Sequence, residues 1–251
     1  MDVNVVTSIV FALRKLNKAR DVEPFIATTA RRDEQTRAVI ALSLGSFGDT
    51  RAVEPLINLL HNDEALIRCA AACMLGDLGD QRAVEPLLEI LDDDDFETRS
   101  SVVKALGLLG DKRAVLPLLS LLGRNKPAYR RVFVVEALDR LDDLQAVEPL
   151  IQCLMDIEED EEVRQAAIEV LGHLGDKRAV PFLLPGLANT DGYFAYEMRW
   201  RVAVALGQIG DIGVIETLQA YLSDPEPVMR MAVSGALRQL LALRAVDAST
   251  E

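Results

Sequence analysis

Two pairs of side chains in this sequence have the spacing that chemistry on one helix face requires. Glu169 and His173 are four residues apart, so on a helix they share a face and suit a general acid and base. Cys69 and Cys73 have the same spacing and suit thiol chemistry or part of a metal site. The alternatives are an ordinary surface pair and two small, half-buried cysteines. Because two thiolates fall short of the four ligands of a structural zinc site, we expect no metal there.

Aromatic residues are concentrated in the segment 191–201. It contains the only Trp of the chain and two of its four Tyr. Tyr193, Tyr196 and Trp200 stand close to Arg199 and Arg201, a combination that is typical of binding hot spots. Such a surface suits a partner protein or a planar conjugated ligand. The alternative is a longer loop that packs its own aromatic side chains onto the fold, and the sequence leaves both interpretations open.

Familiar enzyme motifs do not occur in the sequence. It has no Gly-rich phosphate loop, nucleophile elbow or metal-binding histidine cluster, so we predict no catalytic residue of those classes and no resident cofactor. The acidic runs 92–95 and 158–162 lack the alternating ligands and the central Gly of a calcium loop, and we expect them to be solvated loops.

Composition limits the class of partner. The 251 residues carry a formal net charge of −13, which argues against nucleic acid, since phosphate binding needs clustered Lys and Arg. No apolar run approaches the roughly 18 residues of a spanning helix, so we expect no membrane insertion. Asp2 stands where a signal peptide would carry positive charge. Three Cys form no even disulfide framework, and we expect a reducing, cytoplasmic location.

The elements that position these residues follow from an internal repeat. The phrase Gly-Asp-Gln-Arg-Ala-Val-Glu-Pro-Leu at 79–87 recurs in related form from Gly48, Gly110, Asp142, Gly175 and Gly210. Its prolines, from Pro24 to Pro149, are 31 or 32 residues apart. Each unit contains two amphipathic helical patterns, and stacking such hairpins buries the face that one hairpin alone leaves exposed. We therefore predict an all-α superhelix, a solenoid of about seven helical hairpins over 17–243. A capping helix over 1–16 precedes them and a tail over 244–251 follows, all in one domain, 1–251.

The Gly-Asp pair and the proline of each repeat predict where its helices begin and end. Gly can take the left-handed conformation that ends a second helix, and the following Asp can cap the next element. Since a proline follows that Asp by six residues, we expect an initial turn before the regular first helix. An Arg recurs twelve residues before each Asp, near the start of the second helix, where the helix dipole disfavours it. We expect it to pair with a carboxylate, either in the preceding loop or on the neighbouring unit.

Positions one, five and nine after that Arg are predicted to form one exposed row along the second helices, on the concave face. The core is predicted to take positions three, four, seven and ten. We call this exposed set the second-helix row. Its candidate binding residues, together with the aromatic segment, are Cys69, Cys73, Glu136, Arg140, Glu169, His173, Tyr193, Tyr196, Trp200, Val204 and Met231.

The repeated phrase, joined to Arg68, Leu75, Gly76, Leu78, Gly79 and Asp80, resembles the HEAT-like repeat named after phycobilisome lyases. The resemblance implies a HEAT-like solenoid, and deoxyhypusine hydroxylase is built from similar repeats. That enzyme's di-iron site uses several His-Glu dipeptides, whereas His61 precedes Asn62 and His173 precedes Leu174 here. We therefore expect that activity to be absent.

The function that the resemblance implies is a protein-binding scaffold related to phycobiliprotein or phycobilisome handling. Its partner would be a phycobiliprotein subunit or a second HEAT-repeat subunit. The alternative is a phycobilin lyase, or a subunit of one, that holds a linear tetrapyrrole as a bound substrate. Such a protein would help to attach the bilin to a phycobiliprotein cysteine.

Overall fold

The structure is a computed structural model that describes residues 42, 45, 46, 48–123, 128–156, 158–188 and 193–250. For 128–130, 193–197 and 247–250 it describes the backbone alone. Every regular element in these ranges is an α-helix or a 3-10 helix, with no strand among them. Contacts divide the chain into two compact units, Met1–Pro117 and Leu118–Glu251. Whether the chain forms one domain stays a prediction.

Each repeat consists of a 3-10 turn, a short first helix and a longer second helix. In the first unit the turns are Thr50–Ala52, Gln81–Ala83 and Lys112–Ala114. The helices are α1 (Val53–Leu59), α2 (Ala65–Leu78), α3 (Val84–Glu89), α4 (Phe96–Leu109) and α5 (Val115–Leu119), the last of which ends in the second unit.

The second unit continues the same alternation. Its 3-10 helices are Ser120–Leu122, Leu144–Ala146, Lys177–Ala179, Leu184–Ala188 and Ile212–Val214. Its α-helices are α6 (Ala128–Leu141), α7 (Val147–Met155), α8 (Glu161–Leu174), α9 (Val180–Leu183), α10 (Tyr193–Ile209), α11 (Ile215–Gln219) and α12 (Pro227–Thr250).

Gly and Asp act at the helix ends as predicted. Gly79 ends α2 with a φ of 69°, in the left-handed region that favours glycine. Asp80 then accepts a hydrogen bond of 3.0 Å from the backbone N–H of Arg82 and starts the 3-10 turn. The α-helix proper begins at Val84, two residues before Pro86, so the proline ring lies in the first turn, where it disturbs no helical hydrogen bond.

Second helices pack closely on one another because small residues face each other. α2 packs on α4 in the first unit, and α6, α8, α10 and α12 pack in series in the second. A Cβ on Gly76 would lie 2.8 Å from the Cα of Ala105, and one on Gly207 would lie 2.7 Å from the Cα of Ala236. Only glycine allows the two backbones to approach this closely.

The core positions follow the predicted pattern. In α4, Val102 and Leu106 are fully buried, while Val103 and Leu109 are 4% and 6% exposed. Each buried side chain of this size contributes about 1.5–3 kcal/mol through the hydrophobic effect. Other large side chains that are fully buried include Leu56, Leu60, Leu75, Leu87, Leu118, Leu138, Leu150, Ile151, Ile168, Leu171 and Leu183.

The recurring Arg joins neighbouring repeats at several of its positions. Arg68, at the start of α2, donates to both carboxylate oxygens of Asp93, at 2.7 and 2.8 Å. Arg131 pairs with Glu159 at 2.5 Å. The neighbouring repeat supplies the partner at these two positions, whereas Arg164 pairs with Glu161 at the start of its own helix, at 2.7 Å. Asp63, the loop candidate before Arg68, contributes its backbone carbonyl instead. The pairs between repeats align the N-terminal ends of successive second helices.

The all-α, HEAT-like solenoid class is confirmed by these repeats and by the family match given below. The predicted capping helix over 1–16 and most of the first repeat lie outside the described residues. The tail predicted over 244–251 overlaps the last helix. Helix α12 continues through 244–250, because no Gly or Pro occurs there to end it.

Candidate functional site

Trp200 of the second-helix row is in contact with its chain neighbour Arg201. The guanidinium carbon of Arg201 lies 4.6 Å from the centre of the Trp200 ring, a cation–π arrangement. Arg201 also forms an ion pair with Glu169 of α8, the preceding second helix. The arginine thereby links the Trp200 ring to a neighbouring helix.

Beside Trp200 lies an apolar cavity of about 340 Å³ between α10 and α12. Two of its lining side chains are largely open to solvent, with Met231 70% and Val228 51% exposed. Gln239 contributes polar atoms to the lining of the cavity. The full lining is Trp200, Val204, Val228, Met231, Ala232, Gly235, Ala236 and Gln239.

Gly235 creates the space. A Cβ built on Gly235 would meet no atom within 4 Å, whereas Gly207 is closely covered. The corresponding row positions on other second helices carry side chains, as at Glu169 and Val204. A missing side chain on the exposed row therefore leaves an opening that an apolar group can enter.

Glu169 and His173 lie on one face of α8, yet each contacts a charged side chain on a different neighbouring helix. Glu169 pairs with Arg201 of α10. His173 has its Nδ1 2.8 Å from a carboxylate oxygen of Asp139, on α6. These contacts favour the interpretation of Glu169 and His173 as surface residues that bridge helices. They disfavour a general acid and base that act together on one substrate.

The cysteines of the row lie in the first unit. Cys69 has its Sγ 3.1 Å from the hydroxyl oxygen of Ser101 on α4, and both it and Cys73 are half-buried free thiols. Burial raises the pKa of the Cys69 thiol above its ordinary value, outweighing the hydrogen bond from Ser101. Such a thiol is a poor nucleophile at neutral pH. In the part of the chain that the structure describes, no group of three potential metal ligands occurs.

The remaining predicted residues divide into two sets. Glu136 and Arg140 are exposed on α6, two helices away from the cavity. Tyr193 and Tyr196 lie in the first turns of α10, and their side chains are outside the described part of the structure. Helix α10 has 17 residues against 14 in α8, so the segment for which a longer loop was one of the two interpretations is helical from Tyr193 onward. The structure thus brings Trp200, Val204 and Met231 to one cavity, while their role in binding stays a prediction.

Five of the eight lining residues were not among the predicted binding residues: Val228, Ala232, Gly235, Ala236 and Gln239. Gly235 was placed on the row without a role, and Val228 precedes the recurring Arg230 and was not assigned to the row. The available signal was the glycine itself, since it is the one residue without a side chain among the row positions of the repeats 68–239.

The edge formed by the starts of α8, α10 and α12 carries exposed carboxylates. Asp160, Glu162 and Glu226 are exposed near the starts of α8 and α12. Arginines at the same edge point inward: Arg199 is 4% exposed and pairs with Asp224. Arg230 donates to the backbone carbonyls of Asp224 and Pro225, at 2.7 and 2.9 Å. The edge therefore presents carboxylates outward and uses these guanidinium groups internally.

None of the helices in the described ranges is long and apolar enough to cross a membrane.

Comparison with solved structures shows likeness of fold. The complex of CpcE and CpcF of phycocyanin lyase from Nostoc sp. PCC7120 is 24% identical, with a TM-score of 0.51. The match covers 86% of this chain and 92% of that one. An archaeal HEAT-like repeats protein from Thermococcus onnurineus NA1 is 16% identical, with a TM-score of 0.54 and coverage of 82% and 92%. At these identities the likeness concerns the fold alone.

Among curated proteins, deoxyhypusine hydroxylase of Phaeosphaeria nodorum is 36% identical over 112 residues, 43% of this chain and 33% of that protein. The enzyme of the same name from Aspergillus niger is 36% identical over 114 residues, 43% and 32% of the two chains. The matched region therefore spans about a third of the length of these relatives.

Family models match most of the chain. The model described as PBS lyase HEAT-like repeat matches residues 198–224, which include Trp200 and Val204. The model described as HEAT repeats matches 22–107, 64–134, 84–159 and 115–196, so its matches together extend from 22 to 196. This chain belongs to the HEAT-repeat family.

Proposed function

We propose that this HEAT-repeat chain is a scaffold that binds a partner protein through the second-helix row of its second unit. The apolar cavity beside Trp200 carries the proposal. It combines a Trp, a neighbouring Arg in cation–π contact with it and a solvent-exposed Met, residue types that are enriched in protein interfaces and their hot spots. Contact with a partner would remove Met231 and Val228 from water.

The dimensions of the cavity favour a protein partner over a large free ligand. Pockets that enclose a drug-sized molecule have volumes of about 300–1,000 Å³, and this one lies at the lower end. Met231 is 70% exposed, so the opening is wide. A partner's side chain would fill the cavity while the rest of the partner rests on the row.

Site-specific crosslinking tests the proposal. A photoreactive amino acid placed at position 231 should capture a discrete partner in a native lysate, and the Trp200→Ala substitution should reduce the yield severalfold. The matched control carries the same photoreactive group at position 116, where Leu116 is 65% exposed on a first helix. A product of the same mass and yield at both positions, or none at 231, contradicts the proposal.

A phycobilin-related role is the second candidate. It is favoured by the match of the PBS lyase HEAT-like repeat model to 198–224, the segment that holds Trp200, Arg201 and Val204. In this version a linear tetrapyrrole stacks on Trp200, and the partner is a phycobiliprotein subunit. The phycocyanin lyase neighbour is itself a complex of two proteins, so a second HEAT-repeat subunit is another candidate partner.

A titration with phycocyanobilin separates the two candidates. Binding at Trp200 should quench the emission of the chain's single Trp and shift the visible absorption of the bilin. Absence of both changes, with and without a phycobiliprotein subunit, rejects the bilin role and leaves the protein-binding role untouched. We do not propose deoxyhypusine hydroxylation, since neither of the two His in the sequence precedes Glu.

A further inference from the structure

The cavity beside Trp200 has the form of a groove between two neighbouring helices. Met231, Gly235 and Gln239 are spaced four apart along α12, and Trp200 and Val204 are spaced four apart along α10. From Met231 to Gln239 the helix rises about 12 Å, or slightly more than two turns. An apolar groove of this form and length matches two turns of a helix that inserts side chains at positions i, i+3 or i+4, and i+7.

Charge at the edge of the groove selects among such helices. Glu226 immediately precedes α12 and lies two residues from Val228 of the groove wall. Asp160 and Glu162 project at the start of α8, which packs on α10. The arginines Arg199 and Arg230 are engaged with Asp224 and nearby carbonyls. The chain as a whole carries a net charge of −13, so an acidic partner meets repulsion and a basic one is attracted.

We propose that this groove takes the apolar face of an amphipathic helix of a partner protein, with Lys or Arg flanking that face. The inference rests on the proposed scaffold function and names the chemistry of its partner. The apolar side chains fill the space above Gly235 and contact Trp200, while the basic residues lie against Asp160, Glu162 and Glu226.

A peptide titration tests the chemistry of the occupant. The probe is a Trp-free helical peptide of about 16 residues with Leu at i, i+3, i+4 and i+7 and Lys on the flanks, so that emission comes from Trp200 alone. We expect a saturable blue shift. The same peptide with Glu in place of Lys should bind at least tenfold more weakly, and the difference should shrink at about 1 M salt. Equal affinity of the two peptides overturns the choice of a basic helix.

Filling the groove from within tests the location. Gly235→Leu places a side chain in open space on an exposed helix face, so the variant should fold and bind the Lys peptide at least tenfold more weakly. The control is Ser234→Leu, an equal change at the exposed neighbouring position, which should alter affinity less than twofold. If both variants bind like the parent, the peptide binds elsewhere and the inference is wrong.

Crosslinking at position 231 distinguishes failure of the proposed scaffold function from failure of the basic-helix inference. A partner captured there together with failure of the Lys peptide would retain the scaffold function and reject the basic helix. Loss of both would reject the function as well. The charge component is checked with Glu226→Gln and Glu162→Gln together, which should weaken the Lys peptide severalfold and leave the Glu peptide no weaker.

Discussion

Arg199 and Asp224 form an ion pair in which each side chain is only 5% exposed. They are 25 residues apart, and the pair joins the first part of α10 to the turn that precedes α12. Arg199 also donates to the backbone carbonyl of Leu187 at 2.8 Å. Because the groove beside Trp200 lies between these two helices, this pair helps to set the distance between its walls.

Breaking the buried pair should destabilise the second unit. Asp224→Asn leaves a buried guanidinium without its counter-charge, and such losses cost about 3–5 kcal/mol. Urea unfolding followed by circular dichroism measures the effect. The double variant Arg199→Met with Asp224→Leu should recover much of the lost stability, since it removes both charges together. A single variant as stable as the parent would contradict the role assigned to the pair.

Acid should weaken the ion pairs between repeats. Arg68 donates two hydrogen bonds to Asp93 and holds the pKa of that carboxyl below its ordinary value, against the opposing effect of burial. A lowered carboxyl pKa contributes stability above the unfolded pKa, near pH 4, and that contribution is lost as the pH falls through the folded value.

Thermal unfolding at pH 7 and at about pH 3 measures this loss. The Asp93→Asn variant has already lost the contribution, so its midpoint should fall less than that of the parent between the two pH values. Glu64→Gln, at an exposed position, serves as the control and should show the parental decrease. An equal decrease in all three proteins would argue against the pair.

Two glycines of the second unit should respond to alanine in opposite directions. A Cβ at Gly207 would lie 2.7 Å from Ala236, so Gly207→Ala should force α10 and α12 apart and cost about 1–3 kcal/mol. Gly235→Ala meets no atom and should raise the free energy of unfolding by up to about 1 kcal/mol through helix propensity. Urea unfolding of the two variants side by side tests the contrast, and equal effects would refute the assigned packing.

The Asp that starts each repeat should stabilise its 3-10 turn. Asp111 accepts a hydrogen bond of 2.9 Å from the N–H of Arg113, and Asp111→Ala should lower the free energy of unfolding by about 1 kcal/mol. Glu85→Gln, which removes the exposed ion pair to the same Arg113, should have little measurable effect. Chemical unfolding of both variants compares the cap with the surface pair, and a larger effect of Glu85→Gln would reverse this ranking.

Cys69 should react slowly with alkylating agents in the folded protein. Burial raises the pKa of its thiol, which lowers the thiolate fraction at neutral pH. In a variant with Cys73→Ser and Cys153→Ser, the rate of iodoacetamide alkylation at about pH 8 should be well below that of the urea-unfolded chain. A folded rate equal to the unfolded rate would show that the thiol is accessible and unperturbed.

Much of the fold follows from residues that are neighbours in the sequence. Gly79 and Asp80 set a helix end and the next turn within a few residues, and the spacing of Val102, Val103 and Leu106 marks one buried face. Prediction succeeded there because capping and amphipathic spacing are local properties. Helix α12 extends over 244–250, beyond the last hydrophobic pattern, where the sequence predicted a tail.

The candidate site required contacts that local patterns do not contain. The row placed Trp200, Val204 and Met231 on second helices, yet the space beside them depends on how α10 packs on α12 and on the missing side chain of Gly235. The partners of the charged residues, Arg201 with Glu169 and His173 with Asp139, are 32 and 34 residues apart. The sequence alone therefore determined the repeat period, the helix ends and the core positions. Each of these depends on residues within one helical hairpin. The groove and its acidic edge were decided by the packing of successive hairpins, because backbone approach at Gly207 and the pairing of Arg199 with Asp224 join different repeats.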